Sequence, residues 1–171
     1  KKTAEILGQK IKYVYDIVRA NVGIPVSKFL KLANEAGINL DPEKIKISSK
    51  RKSMLALLKL DEDFCTFLGT WVAEGSYNYK EKSKEVFRIS LNSNEAKNIR
   101  SLCERLFGKV TEYKKKNTKG TDLYINSRVA SIILRKVLGF EDGARNKKIP
   151  DFVFGLSQQN LGAFLKGYFS G

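Results

Sequence analysis

The sequence contains no histidine. That removes imidazole chemistry altogether: there is no Ser-His-Asp triad, no Cys-His dyad and no His-ligated zinc. Cysteine is nearly as scarce. Cys65 and Cys103 are the only two, too few for a disulfide framework, and no Cys-x-x-Cys spacing occurs. Such sparing use fits a reducing compartment, so a cytoplasmic location is expected. No run of 18 apolar residues is present, so no transmembrane helix is expected. The opening residues, Lys1-Lys2-Thr3-Ala4-Glu5, lead into no signal-peptide core. Acids are also short: 18 Asp and Glu face 32 Lys and Arg, a formal charge of +14 over 171 residues. Such an excess calls for a polyanionic partner, with nucleic acid ahead of an anionic membrane surface. No Lys-rich amphipathic helix with Trp or Phe anchors stands out, so no membrane partner is expected. What is present suffices for a core: 42% of residues are hydrophobic and 11% aromatic, which excludes a disordered chain.

Along the chain, residues 1–60 read as helical. Ile6, Leu7, Ile11, Val14, Ile17 and Val18 recur at helical spacing, and Gly23-Ile24-Pro25 breaks that helix. Ser27 is expected to cap a second helix with Leu30, Ala33 and Ala36 inward and Gly37 as its stop. Asp41-Pro42 reads as a further N-cap with proline at the first helical position, and Ser48 to Lys59 as helix. Helix–break–helix spacing admits a helix-turn-helix, but an accessory helical packing unit is the favoured reading. Residues 61–74 predict a helix with acids at its start, an apolar stripe of Phe64, Phe67, Leu68, Trp71 and Val72, and Gly75 as its end. Val86 to Asn92 alternates as a strand, with Phe87, Ile89 and Leu91 on one face and Arg88, Ser90 and Asn92 on the other. Ser93 or Asn94 then caps a helix reaching Phe107. Lys109–Lys115 and Thr121–Asn126 predict a hairpin, and Val129–Leu138 a helix stopped by Gly139. Residues 61–138 thus sum to αββαββα, an α+β fold. After a polar connector, Ser157 or Gln158 opens a last helix through Leu161, Phe164, Leu165, Tyr168 and Phe169. Cys65, Cys103, Trp71 and the phenylalanines are assigned to the core.

Two windows then stand out. Phe67-Leu68-Gly69-Thr70-Trp71-Val72-Ala73 and Leu165-Lys166-Gly167-Tyr168-Phe169-Ser170-Gly171 align without gaps at an offset of 98 residues. In each, a small residue follows a glycine by four positions: Gly69 to Ala73, and Gly167 to Gly171. Small residues one turn apart let helix backbones approach closely, so the two helices are expected to cross there. Glu74 ends the first helix beside that contact. A carboxylate at a helix C-terminus is electrostatically unfavourable and wants a cation.

These windows resemble the motifs of the LAGLIDADG homing endonucleases. Gly69, Ala73, Glu74 and Gly75 match the glycine, small residue, acid and glycine of that motif. Lys147-Lys148-Ile149-Pro150 before the second window is similar to the Lys-x-Ile-Pro element of the intein-type, two-motif branch. The resemblance covers roughly residues 61–171, which divide into a first repeat at 61–142 and a connector with an incomplete second motif helix at 143–171; residues 1–60 lie outside it.

The resemblance implies a saddle-shaped antiparallel sheet and a site-specific double-stranded DNA endonuclease. It implies Mg2+, with Mn2+ as a substitute, and no small-molecule cofactor. Hard oxygen ligands suit magnesium, which takes only one or two carboxylates from a protein. Glu74 holds the place of the catalytic acid, with Ala73 and Gly171 as candidate carbonyl ligands. Lys147 corresponds to an active-site lysine that would stabilise the phosphorane or orient water. The sheet implies a DNA platform. Arg88, Ser90 and Asn92, with Asp122, Tyr124 and Asn126 on the second hairpin, would reach bases. Lys80, Lys82, Lys84, Lys114, Lys115, Lys116, Lys119 and Arg128 suit phosphate contacts.

The sequence departs from the family at the second acid, whose place would be position 172, so a truncated or partial endonuclease segment is expected. The full protein is expected to be a monomer with two pseudo-symmetric repeats. The competing expectation is a non-cleaving nucleic-acid binder on the same fold, a regulator or an RNA maturase.

Overall fold

The computed structural model describes every residue except 20–21, 42, 50–51, 56–57, 78–85, 117–118, 142, 144 and 171; at 48–49 and 52–55 it describes the backbone alone. The chain divides into two units, Lys1–Ile47 with Leu55–Leu57, and Ser48–Met54 with Leu58–Gly171.

In the first unit, glycine and proline set the breaks. Helix α1 (Lys2–Leu7) stops at Gly8, whose φ of 60° is left-handed and free of Cβ strain only in glycine. Helix α2 (Ile11–Val18) follows an extended Lys10, so the single helix expected over Ile6–Val18 is two. Helix α3 (Val26–Glu35) has Pro25 at its N-cap position, and Ser27, expected to be that cap, lies inside the first turn. Ala4, Leu7 and Ala33 are buried, whereas Leu30, expected inward, is 50% exposed. Where the chain passes between the units, the helix expected from Ser48 to Lys59 is also corrected. Strands β1 (Lys46–Ser49) and β2 (Lys52–Leu55) pair as a two-stranded sheet. Serine is a weaker helix former than the leucines and lysines around it, and three serines fall in this stretch.

The second unit is α+β. Its order is α4 (Glu62–Glu74), β3 (Gly75–Tyr77), β4 (Val86–Asn92), α5 (Ser93–Phe107), β5 (Val110–Lys114), β6 (Gly120–Asn126), α6 (Arg128–Ile132) and α7 (Gln158–Phe169). The expected αββαββα order is present over α4 to α6, an arrangement compatible with a LAGLIDADG-like fold. Side-chain caps start the helices. Asp61 accepts from Phe64 N at 2.9 Å, Ser127 from Ala130 N at 3.3 Å and Ser157 from Asn160 N at 3.3 Å. The cap of α5 is Asn92, one residue before the expected pair, accepting from Asn94 N at 3.5 Å. The helix expected over Val129–Leu138 changes pitch within its length. After Ile132 it widens into a π-helical turn, Ile133–Val137, where Leu138 N donates to Ile133 O at 2.9 Å. The β-branched pair Ile132-Ile133 marks the point where crowding against the preceding turn is greatest.

The four strands are antiparallel in the order β3-β4-β6-β5. Alternation puts Phe87, Ile89, Leu91, Leu123, Ile125 and Val110 on one buried face. Against that face pack Phe64, Phe67, Leu68 and Trp71 of α4 and Leu102, Cys103 and Phe107 of α5. Aromatic edges carry much of the contact: Phe67 and Phe107 have centroids 4.7 Å apart, and Trp71 and Phe87 5.3 Å. Cys65 and Cys103 are wholly buried here, and burial pushes both thiols up, Cys103 to about 12. Among the described residues, no helix is long and apolar enough to cross a membrane.

Candidate functional site

Helices α4 and α7 cross at Gly69 and Gly167. A Cβ on Gly69 would run into Phe164 O and lie 2.7 Å from Tyr168 N. One on Gly167 would run into Thr66 O and lie 3.0 Å from Thr70 N. Backbone therefore meets backbone at both positions, and only glycine leaves room. Thr70, 1% exposed, bridges the crossing: its hydroxyl lies 3.0 Å from Thr66 O and 3.3 Å from Gly167 O. Toward the start of both helices, Gln159 Nε2 donates to Glu62 Oε1 at 2.6 Å and Asn160 Nδ2 donates to Leu60 O.

The other end of α4 carries the candidate chemistry. Glu74 is its last residue and is half-buried; among the described residues no hydrogen bond or ion pair engages its carboxylate. Gly75 must follow, because a Cβ there would overlap the Trp71 ring. Lys147, 73 residues further on, is brought to the same helix end: its Nζ donates to Ala73 O at 3.3 Å. The intervening chain explains how. Gly143, at φ 85°, turns the connector, and its carbonyl accepts from Asn146 N and Lys147 N. Pro150 then opens a 3-10 turn (Asp151–Gly155) anchored by buried Val153 and by Phe152 against Phe140. The partial negative charge of the α4 C-terminus suits an ammonium there. Ala73 O, a candidate metal ligand, thus already accepts from Lys147. Gly171 lies outside the described residues. Among those described, no group of three or more metal-ligating acids or cysteines occurs.

The sheet face away from the core places the remaining candidates unevenly. Arg88 and Ser90 sit on it, half-buried. Arg88 Nε donates to Ser76 Oγ at 2.9 Å, and Ser90 Oγ donates to Asp122 Oδ1 at 2.6 Å. Tyr124 faces Arg88 across the β4–β6 ladder, and Asn126 is exposed at the strand end. Asn92 is exposed but engaged in capping α5. Lys115 ion-pairs with Asp122 at 3.0 Å. Lys114 is exposed at the end of β5. It pairs in register with Thr121, a core-side position, so it stands at the helix-side edge of the sheet. Lys116 and Lys119 are exposed near the β5–β6 turn, and Arg128 is exposed at the start of α6. Lys80, Lys82 and Lys84 lie outside the described residues. Sequence reasoning missed Thr111 and Tyr113, which occupy the outer face opposite Tyr124 and Asp122. The signal was available: buried Val110 and core-side Glu112 fix the parity of β5. It also placed Asp122 on this face without registering that it is the face's buried charge, 3% exposed.

Comparison with known proteins finds no matching family model. The chain is 34% identical over 121 residues to a "DNA polymerase" of Thermococcus aggregans, covering 67% of this chain and 6% of that protein. It is 33% identical over 122 residues to "DNA-directed RNA polymerase subunit Rpo1C" of Methanocaldococcus jannaschii, covering 70% of this chain and 13% of that one. It is 31% identical over 127 residues to "Replication factor C small subunit" of the same organism, covering 66% and 7%. The chain therefore spans only about a tenth of the length of the curated relatives it matches. All three carry the names of proteins of DNA replication or transcription.

Proposed function

We propose that the chain is part of an intein-borne, site-specific DNA endonuclease of the LAGLIDADG type. The observation that carries the nuclease reading is that Lys147 binds the carbonyl of Ala73, next to Glu74 at the end of α4, the helix that crosses α7 glycine to glycine. The insertion reading has separate support. About two thirds of the chain is similar, in each case, to a small part of one of three differently named proteins, which an inserted element explains and a shared host activity does not.

Glu74 and the carbonyl of Ala73 offer hard oxygen donors of the kind Mg2+ takes, with water completing its shell. Bound there, the ion would supply Lewis acidity and a water nucleophile at lowered pKa for phosphodiester hydrolysis. Lys147, held 3.3 Å from Ala73 O, stands where its ammonium would neutralise charge developing on the phosphoryl oxygens. The basic excess of +14 supplies attraction to duplex phosphates. The second reading is a non-cleaving DNA or RNA binder. It is favoured by the Ala73 carbonyl already being engaged by Lys147.

The deciding experiment incubates the full-length gene product with a randomised duplex library, with Mg2+ or with EDTA, and sequences the ends produced. Mg2+-dependent cuts at one site class are expected. Glu74→Gln should slow them by about 10²-fold or more, and Lys147→Met by a smaller factor. Selective binding without cuts in either buffer would establish the non-cleaving reading instead.

A further inference from the structure

The sheet face assigned to DNA contains a feature that phosphate binding does not call for. Asp122, 3% exposed, is a carboxylate in the middle of that face. Near phosphates such a charge weakens binding, and its burial adds a desolvation cost that only good partners offset. Its partners are good. Ser90 Oγ donates to Oδ1 at 2.6 Å, Lys115 Nζ sits 3.0 Å from the same oxygen, and Arg88 Nη1 lies 3.7 Å from Oδ2. Arg88 is held a second time, by Nε donating to Ser76 Oγ at 2.9 Å. The contacts cross the sheet from Ser76 on β3, through Arg88 and Ser90 on β4, to Asp122 on β6 and Lys115 just past β5.

We propose that Asp122 is a positioning residue for base recognition, holding the Arg88 guanidinium in one orientation so that its terminal amino groups read a guanine. The inference rests on the DNA reading above. A free arginine on a surface contacts whichever phosphate is nearest. An arginine anchored at Nε by Ser76 and steered at Nη1 by Asp122 presents its fork in a fixed plane. Bidentate pairing with guanine O6 and N7 requires that plane. The Arg88 side chain is 43% exposed, so it remains open to a ligand after both anchors are made. Ser90 helps to hold Asp122, because its hydroxyl proton is donated to that carboxylate.

The test selects bound sequences from a randomised duplex library with the full-length gene product and compares base preference position by position. Wild type is expected to enrich guanine about ten-fold or more at one position, and Arg88→Ala to erase that enrichment. Asp122→Asn should reduce it to about two- or three-fold at that position alone, while affinity for unrelated duplex rises as one negative charge leaves the face. Ser90→Ala should weaken the same preference by a smaller factor. A merely structural Asp122 would move all positions together or none, and either result overturns the inference. If Asp122→Asn does not fold by circular dichroism, an unchanged preference in Ser90→Ala overturns it. Wild type with no base preference brings down the DNA reading as well; a selective wild type matched by Asp122→Asn brings down the positioning role alone.

Discussion

Helices α4 and α7 share a sequence pattern and meet the same crossing from opposite sides, yet their other faces differ sharply. Phe67 and Trp71 of α4 are 0% exposed, whereas their counterparts at the 98-residue offset, Leu165 and Phe169, are 40% and 77% exposed. The crossing itself is equivalent: Gly69 admits the backbone of α7, and Gly167 admits that of α4. A small-residue stripe therefore specifies how closely two helices approach. What covers the back of each helix is a separate matter, decided for α4 by the sheet and α5.

Six substitutions probe this comparison. The largest contrast is between the two aromatic counterparts. Trp71→Ala should cost about 3–5 kcal/mol in chemical denaturation, and Phe169→Ala no more than about 0.5 kcal/mol. A loss above about 1.5 kcal/mol at Phe169 would mean that this face is covered in solution, and the asymmetry would vanish. Next comes the crossing. Gly69→Ala or Gly167→Ala forces a methyl into a carbonyl oxygen of the opposite helix and should cost about 2–3 kcal/mol. Equal losses would sharpen the symmetry, and a tolerated alanine at either position would break it. Thr70→Val removes the hydroxyl that bridges to Gly167 O, and an intermediate loss of about 1 kcal/mol is expected from the same denaturation curves. The smallest effect has the opposite sign. Gly162 lies on the same helix as Gly167 with nothing near its Cβ position, so Gly162→Ala should stabilise by up to about 1 kcal/mol through helix propensity. A loss there would show that α7 is crowded on both sides.

Much of the second unit was legible because its signals are local and redundant. Alternation in Val86–Asn92 fixed which residues of β4 face the core, and the starts expected for α4, α6 and α7 fall within a residue of those observed. The first unit was less so. A run of apolar residues at helical spacing reads as one helix until Gly8 takes a left-handed φ. Where the chain passes between the units, Ser48–Leu55 likewise contains enough helix formers to hide a strand pair that only cross-strand hydrogen bonding reveals. At the candidate site, Glu74 and Lys147 were named from their motifs. That Lys147 reaches the helix end carrying Glu74 depends on a connector turn at Gly143 and on the anchoring of Phe152 and Val153. Lys114 stands at a strand end, the last residue of β5, and only the ladder shows that it falls on the same side as Thr121.

Residue types and spacing alone determined the exclusion of imidazole chemistry, the basic excess, the glycine stripes and the alternation of the strands. Each follows from side-chain chemistry or from the 3.6- and 2-residue periods of the backbone. Tertiary structure alone decided that Lys147 reaches the carbonyl of Ala73, that Asp122 is buried among Arg88, Ser90 and Lys115, and that α4 is enclosed while α7 keeps an open face. Lys115 and Asp122 aside, those facts join residues tens of positions apart, and no local period encodes which distant segments pack together.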